Sequence, residues 1–587
     1  MNRIHGRKEK PTRLDMIRSI RVLQRLCTSR RLPPKEVIGP ILRGWSRNVC
    51  PELPLVRWGP NLSLAEHAET RRFEQKLGRL PLLEAAFWLS TAYTALAPKD
   101  YRKRMAMYFT PPPIANRLLD DLVNEGVQFG QHSFMDPACG GAAFLTLVAN
   151  RMRTALLAKG KTPREILRHA KTHLAGYDID ETLSALARQF LRMVFYSEIR
   201  STGRVPAFNI KRGDSLTKLA YLQGKYDVVV CNPPYRKLTQ SEVNPYRERF
   251  AEVIQGQPNL YALFIQLATQ LSKKMGFVGL VTPTSFLSGQ SFGFLRTYLL
   301  KHSHVKHIGI IRERVRVYLD VAQDTVLTLV RPGAKSEHDD TIARVSVVER
   351  DGQYQKIGRC PLPNSGTSWP LARNSDDLEL LKKAAKNAFR LKDYGYTPTI
   401  GAFVWNRDPR PTYLTYDEIP ETRLEHTYPL LWASDLASGG RLLFKTHEAE
   451  KLQDRYVFMG RQGQGFVKRK PAVLLQRVTA SDQAIRLSGA IVSEQFINDH
   501  RGYIGENHVV ILERSDSTST LNPTEMLSLL KSPVINRYFN CISGCANVSV
   551  FELLQLPLPD PEALKRRLAR GATMADAVER ILIGSDS

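Results

Sequence analysis

The segment Lys225–Leu238, KYDVVVCNPPYRKL, ends an apolar run on Asn232-Pro233-Pro234-Tyr235. Two adjacent prolines cannot continue a central strand, because neither offers an N–H to the ladder. Asn232 brings a side-chain carbonyl oxygen, and the peptide of Pro233 offers only an acceptor. Two adjacent acceptors suit a substrate –NH2 group, and Tyr235 adds a flat ring that can stack on another. The four residues therefore read as a receptor for an amino group on a planar ring. Such an amine is a poor nucleophile, since its lone pair is delocalised into the ring. Acceptors gripping its hydrogens turn the lone pair toward an electrophile, so positioning replaces a strong base. The plainer reading is a strand-ending turn with a surface tyrosine.

Three acids could complete a site with this loop. In DPACGGAAFL, Asp136 precedes a Gly-rich turn that opens a helix. Such turns let a ligand approach the backbone and present helix N-terminal N–H groups. The turn is neither GxGxxG nor a P-loop, so alone it points only weakly to a nucleotide-like cofactor. In LAGYDID, Asp178 ends a second strand, where an acid in a doubly wound sheet accepts from ribose hydroxyls. It falls about 40 residues after the turn, rather than the roughly 20 of the dinucleotide fingerprint. Asp180, just before ETLSALA, fits a helix N-cap. Asp214, in IKRGDSLTKL, follows a short strand; an acid there could accept from an adenine amine, or merely cap a turn.

The elements that must position these residues alternate between about 101 and 345. Strand-like HSFMDPACGG, THLAGYDID, YDVVVCNPPY and GFVGLVTPTSFL are interleaved with helical AAFLTLVANRMRTALLAKG, ETLSALARQFLRMVFYS and LYALFIQLATQLSKKM. That order predicts βαβ units and a mostly parallel sheet. DVVVC is too apolar to have a wet face, so it is expected as a buried strand whose C-terminal end opens to ligands. After about 350, short runs such as AVLLQRV and HVVILE lie among Gly-, Ser- and Asn-rich turns, which predicts a separate, mixed domain after a junction at 362–370. The expected division is a basic helical region over 1–100, an α/β domain over 101–345, and an α+β domain over 350–587.

The chain has 587 residues, with 84 Lys plus Arg against 57 Asp plus Glu, for a net charge of +27. This balance predicts an electropositive surface and a polyanionic partner. Residues 1–48 hold 13 Lys/Arg and 3 Asp/Glu; LDMIRSIRVLQRLC within them has helical apolar spacing, as a solvated face or a phosphate-contacting arm would. The basic, glycine-rich stretch 460–477 contains Lys468, Arg469 and Lys470, which are expected to contact DNA from a mobile loop, against a plain solvated loop as the alternative. Seven scattered cysteines give no disulfide framework, and Cys541 and Cys545 lack a second pair for zinc, so no metal is expected. No apolar h-region follows the first residues, and LPLLEAAFWLSTAYTALA (80–97) reads as a packed helix rather than a membrane span. The expected compartment is cytoplasmic.

The motifs resemble those of the NPPY-type N6-adenine DNA methyltransferases of restriction–modification systems, in their gamma (TaqI-like) order. DPACGGAAFL is similar to the family's DPACGSGxFL loop, NPPY matches letter for letter, and MYFTPPPIANRLL resembles the YTP segment. NLYALFIQLATQLSKKMGFVGLVTPTSFL and VYLDVAQDTVLTLV resemble the segments that follow. The resemblance covers about 100–335. It implies a Rossmann-like, doubly wound domain that binds S-adenosyl-L-methionine, with a C-terminal target-recognition domain that reads duplex DNA around a flipped adenine. It gives Thr110, Pro111, Asp136 and Ala138 to the methionine end of the cofactor, and Gly140 to the cofactor site. Asp178 would hold the ribose and Asp214 the cofactor's adenine amine. Asn232, Pro233, Pro234 and Tyr235 would hold the target base, with Tyr318 as its second wall. Arg236 and Lys237 sit where a phosphate could lie. A separate restriction endonuclease or defence-complex subunits are the further partners it implies. Two residues depart from the pattern: Ala142 and Ala106 stand where glycines are usual, and a Cβ at 142 could crowd the cofactor if φ is positive. Rival readings are a DNA-binding module of a defence complex without catalysis, or an NPPY enzyme acting on RNA, a protein glutamine or cytosine N4.

Overall fold

The structure is a computed structural model that describes residues 10–54, 64–219, 221–312, 324–333, 341–364, 366–387, 389–437, 439–444, 453–479, 483–515, 520–543 and 546–584. The chain divides into two compact units, one comprising 1–286, 291–356 and 364–366, the other 287–290, 357–363 and 367–587.

Among the described residues the first unit begins with five helices, α1 (Arg13–Arg30), α2 (Pro34–Val49), α3 (Leu64–Leu77), α4 (Leu82–Leu96) and α5 (Lys99–Met105). A capping box between Thr12 and Asp15 starts α1, whose buried stripe is Met16, Ile20, Leu23 and Cys27. The apolar run at 80–97 is the packed helix α4, and among the described residues no helix is long and apolar enough to cross a membrane. These helices share one hydrophobic core with the sheet that follows: Trp45, Phe73 and Leu89 belong to the same cluster as Phe144, Phe190 and Val230.

Next come α6 (Pro112–Asn124), β1 (Phe134–Asp136), α7 (Ala143–Ala158), α8 (Pro163–His173), β2 (Leu174–Asp178), α9 (Glu181–Val194), β3 (Asn209–Arg212), β4 (Tyr226–Cys231), β5 (Ser272–Pro283), β6 (Ser303–Ile311), β7 (Thr325–Pro332), β8 (Ile342–Val348) and β9 (Tyr354–Pro361). Among the described residues the sheet order is β3-β2-β1-β4-β5-β7-β6-β8-β9. Strands β3, β2, β1, β4 and β5 run parallel, with Met135 opposite both Ala175 and Val229. The α/β expectation holds, with one refinement: β7 lies antiparallel between β5 and β6. As expected, β4 is buried through Val228–Cys231. Strand order reverses between β1 and β4, so their carboxyl ends flank the crevice where open α/β sheets bind ligands.

The second unit holds two four-stranded sheets, counted among the described residues. In one, Ala472–Gln476 pairs antiparallel with Val509–Arg514, placing Val473 opposite Leu512. Helices Pro523–Leu530, Pro533–Ile542, Pro561–Ala569 and Met574–Leu582 follow, giving the mixed architecture expected. The stretch 460–477 is folded rather than loose: a 3-10 turn (Gln462–Phe466) leads into the strand at 472–476.

Candidate active site

At the carboxyl ends of β1, β2 and β4 lies a cavity of about 440 Å³, within the roughly 300–1,000 Å³ usual for small-molecule sites. Arg104–Thr110, the turn after β1, the residues after β2, those after β3, the loop after β4, and Leu260 and Phe264 wall it.

The turn after β1 is shaped by close approach. Gly140 has φ +51°, and a Cβ there would stand 2.5 Å from Phe109 Cε1. A Cβ on Gly141 would stand 2.0 Å from Ser90 Oγ, on α4. Ala142, the residue before α7, does adopt φ +60°, and Ala106 adopts φ +47°. Ala142 is fully buried in the hydrophobic core and does not line the cavity, so its Cβ leaves that space open. Ala106 lies on the wall.

Asp136, Asp178 and Asp214 converge on the cavity with Ala138, Gly140 and Thr110. Asp136 is 1 % exposed and accepts from the Ala138 N–H at 3.0 Å; burial pushes its carboxyl well above the usual range. Asp178 accepts from the Gly140 N–H and the Asp180 N–H, each at 2.8 Å, one on each oxygen. Burial outweighs both bonds and pushes it up to about 7. Asp214 caps the short helix 215–218, accepting from Leu216 N–H at 3.0 Å, and its other oxygen accepts from Tyr246 at 3.0 Å. Capping thus coexists with its place on the wall. Thr110 is 1 % exposed and lines the cavity, and among the described residues its Oγ1 has no hydrogen-bond partner. Pro111 is buried beside it as the residue before α6 and does not line the cavity.

Asn232 also lines the cavity. Its Nδ2 donates to the Tyr108 carbonyl at 2.9 Å, which fixes the amide end and turns Oδ1, the acceptor, toward Tyr235. The Tyr235 hydroxyl lies 2.7 Å from that Oδ1 and 2.8 Å from the Val281 carbonyl, while its ring meets Tyr261 edge-on at 6.1 Å. Pro234 lines the cavity, whereas Pro233 and Tyr235 do not. The loop is clamped from the helix Leu260–Leu271: Asn259 accepts from Arg236 N–H at 3.0 Å, and Leu260 N–H donates to the Arg236 carbonyl at 2.7 Å. The Arg236 guanidinium pairs with Glu242 at 2.6 Å, and Lys237 is exposed. Tyr318 lies outside the described residues.

In the second unit, Lys468 is ion-paired with Glu513, Arg469 stacks on Tyr428 at 5.6 Å, and Lys470 donates to the Ser515 carbonyl at 3.1 Å. The exposed tip of this segment is Phe466, with the Arg410 guanidinium 5.8 Å from its ring.

Sequence reasoning missed Tyr108, Tyr246, Ile179 and Phe264 on the wall. None carries a local signal except Tyr108, which sits two residues before Thr110 in the segment already singled out. The three carboxyls, the close-approach glycine turn and the buried Thr110 Oγ1 fit a polar, nucleoside-bearing cofactor.

Residues 150–317 match the Eco57I restriction-modification methylase family. That span contains Asp178, Asp214 and the Asn232–Tyr235 loop. The chain is 20% identical over 431 residues to the type II methyltransferase M.BsuBI of Bacillus subtilis, covering 70% of this chain and 81% of that one. It is 25% identical over 218 residues to the type II methyltransferase M.BstVI of Geobacillus stearothermophilus, covering 36% of this chain and 38% of that one. In fold it is similar to the type IIL restriction-modification enzyme MmeI in complex with DNA, with a TM-score of 0.57 at 12% identity, over 98% of this chain and 94% of that one.

Proposed function

We propose that the protein is a DNA methyltransferase of a restriction–modification system, using S-adenosylmethionine to methylate N6 of an adenine flipped out of duplex DNA. The carrying observation is that Asn232 is fixed on the same cavity as the three acids: the Tyr108 carbonyl holds its Nδ2, and its Oδ1, an acceptor with two lone pairs, is met by the Tyr235 hydroxyl.

S-adenosylmethionine, when bound, supplies an electrophilic methyl group. Thr110, Asp136, Ala138 and Gly140 would hold its methionine end, Asp178 its ribose and Asp214 its adenine amine. Asn232 Oδ1 and the Pro233 carbonyl accept the two hydrogens of the target amine, which frees its lone pair to point at the cofactor. The surplus proton leaves to solvent. Because Asn232 is held before the base arrives, it needs no reorganisation during the reaction. Tyr235 supplies a ring beside the amine. Flipping a base costs a few kcal/mol, which phosphate contacts from a chain of net charge +27 can offset.

The test is Asn232→Ala. Methyl transfer from tritiated S-adenosylmethionine to unmodified bacteriophage DNA should fall by about 10²–10³ or more, with DNA binding retained. Modification-sensitive sequencing of DNA from cells expressing the chain then identifies the base. Methylated cytosine, or equal activity of the variant, contradicts the assignment.

A further inference from the structure

The N-terminal helices are joined to the cavity through one carboxylate. Asp180 is 3 % exposed and caps α9, accepting from Leu183 N–H at 2.8 Å. Its other oxygen accepts from two phenols: Tyr93 of α4 at 3.0 Å and Tyr101 of α5 at 2.8 Å. Capping one helix needs neither, since a single oxygen suffices. The Asp180 backbone N–H, meanwhile, donates to Asp178 Oδ1 at 2.8 Å. Asp178 lines the cavity; Tyr93 and Tyr101 do not.

We propose that Tyr93 and Tyr101 are positioning residues for the cofactor: they fix Asp180, and the Asp180 peptide fixes the carboxylate of Asp178. This rests on the reading of the cavity as an S-adenosylmethionine site. The pair works from two different helices, so the carboxylate is held on two sides and cannot pivot about its N-cap bond. A carboxylate that orients a ligand must be held to within a fraction of an ångström, and groups behind it supply that precision. Burial holds both phenols protonated across the physiological range, Tyr101 being pushed up to about 12, so they remain donors. Ser90, on the same helix as Tyr93, seats against Gly141 in the turn that presents Gly140 N–H to Asp178. The N-terminal layer therefore supports the acid from both of its hydrogen-bond donors.

The experiment measures S-adenosylmethionine binding calorimetrically with the full chain and the variants Tyr101→Phe, Tyr93→Phe and the double variant. The rings and their packing remain; only the hydroxyls go. The double variant should bind about tenfold more weakly, with a matching rise in KM for S-adenosylmethionine. Its kcat at saturating cofactor should stay close to wild type, and its melting transition should remain cooperative though lowered by the lost bonds to a buried carboxylate, which a loss of folding would not allow. If the double variant is poorly folded, the half-buried Tyr101→Phe decides alone, with a rise in Kd of about threefold. Wild-type affinity in a folded variant overturns the positioning role while leaving the cofactor reading intact. Absence of binding by the wild type overturns the cofactor reading itself.

Discussion

The Tyr235 hydroxyl lies 2.7 Å from Asn232 Oδ1, the atom proposed to receive the target amine. A phenol has one proton, and the Val281 carbonyl stands 2.8 Å away as a second acceptor. An amide oxygen has two lone pairs, so Asn232 can accept from Tyr235 and from a substrate together. Tyr235→Phe should therefore slow methyl transfer by less than about tenfold, the scale of one net hydrogen bond. Tyr235→Ala removes the ring as well and should slow it by about 10² or more. Single-turnover kinetics on one DNA substrate separates the two; equal losses would mean that the hydroxyl, not the ring, matters.

Asp178 gives the site a pH dependence. Its folded-state value of about 7 lies above the ordinary 3.8, so the native state binds the proton more tightly than the unfolded chain. This group's contribution to stability is thus greatest below the unfolded value and is lost as pH rises toward 7. Cofactor binding runs the opposite way, because ribose hydroxyls need an ionised acceptor. The Kd for S-adenosylmethionine should rise as pH falls below about 7, approaching tenfold per unit. Asp178→Asn should bind weakly and without that slope, since its –NH2 would face a backbone N–H donor. A flat wild-type profile from pH 8 to 6 would exclude Asp178 as the controlling group.

Ala142 is a non-glycine residue at φ +60°. Ala142→Gly relieves left-handed strain of about 1–2 kcal/mol. It also loses a buried methyl worth about 0.8 kcal/mol and adds about 0.5–1 kcal/mol of chain entropy. The terms nearly cancel, so the melting temperature should move by no more than about 3 °C. S-adenosylmethionine affinity should stay within about twofold, because the methyl faces the core. A tenfold gain would show that it does crowd the cofactor. Gly140→Ala is the contrast: its Cβ meets Phe109 at 2.5 Å, and about 2 kcal/mol of stability should be lost.

The basic residues should separate in a salt titration. Lys237 is exposed on the loop that would face DNA, while Lys468 is ion-paired with Glu513. Lys237→Ala should lower the slope of log K against log salt by about 1. Lys468→Ala should leave the slope unchanged and destabilise the second unit instead. Equal changes in slope would return Lys468 to the DNA surface.

The parts of this molecule that were legible in the sequence are those with local causes. Val228–Cys231 is a buried stretch of strand because every residue in it is apolar, and Asp180 is an N-cap because an acid precedes a periodic run. The cavity brings together Asp136, Asp178, Asp214 and Asn232 because all four lie at or just beyond the carboxyl ends of neighbouring parallel strands. The antiparallel direction of β7 was not legible, since TVLTLV reads the same either way. Nor was the Tyr108 carbonyl behind Asn232, a backbone atom more than a hundred residues distant. The segment at 460–477 shows the limit of composition: charge content cannot distinguish a lysine facing solvent from one paired with a glutamate across a sheet.

The shared core of the N-terminal helices and the sheet has a practical consequence for anyone wishing to shorten the protein. A fragment starting near residue 101 would keep every proposed catalytic group yet shed Trp45, Phe73 and Leu89 from the far side of Phe144 and Phe190. It would present a raw apolar face to water and leave the glycine turn without its backing helix, so truncation there should yield an aggregating polypeptide rather than a minimal enzyme.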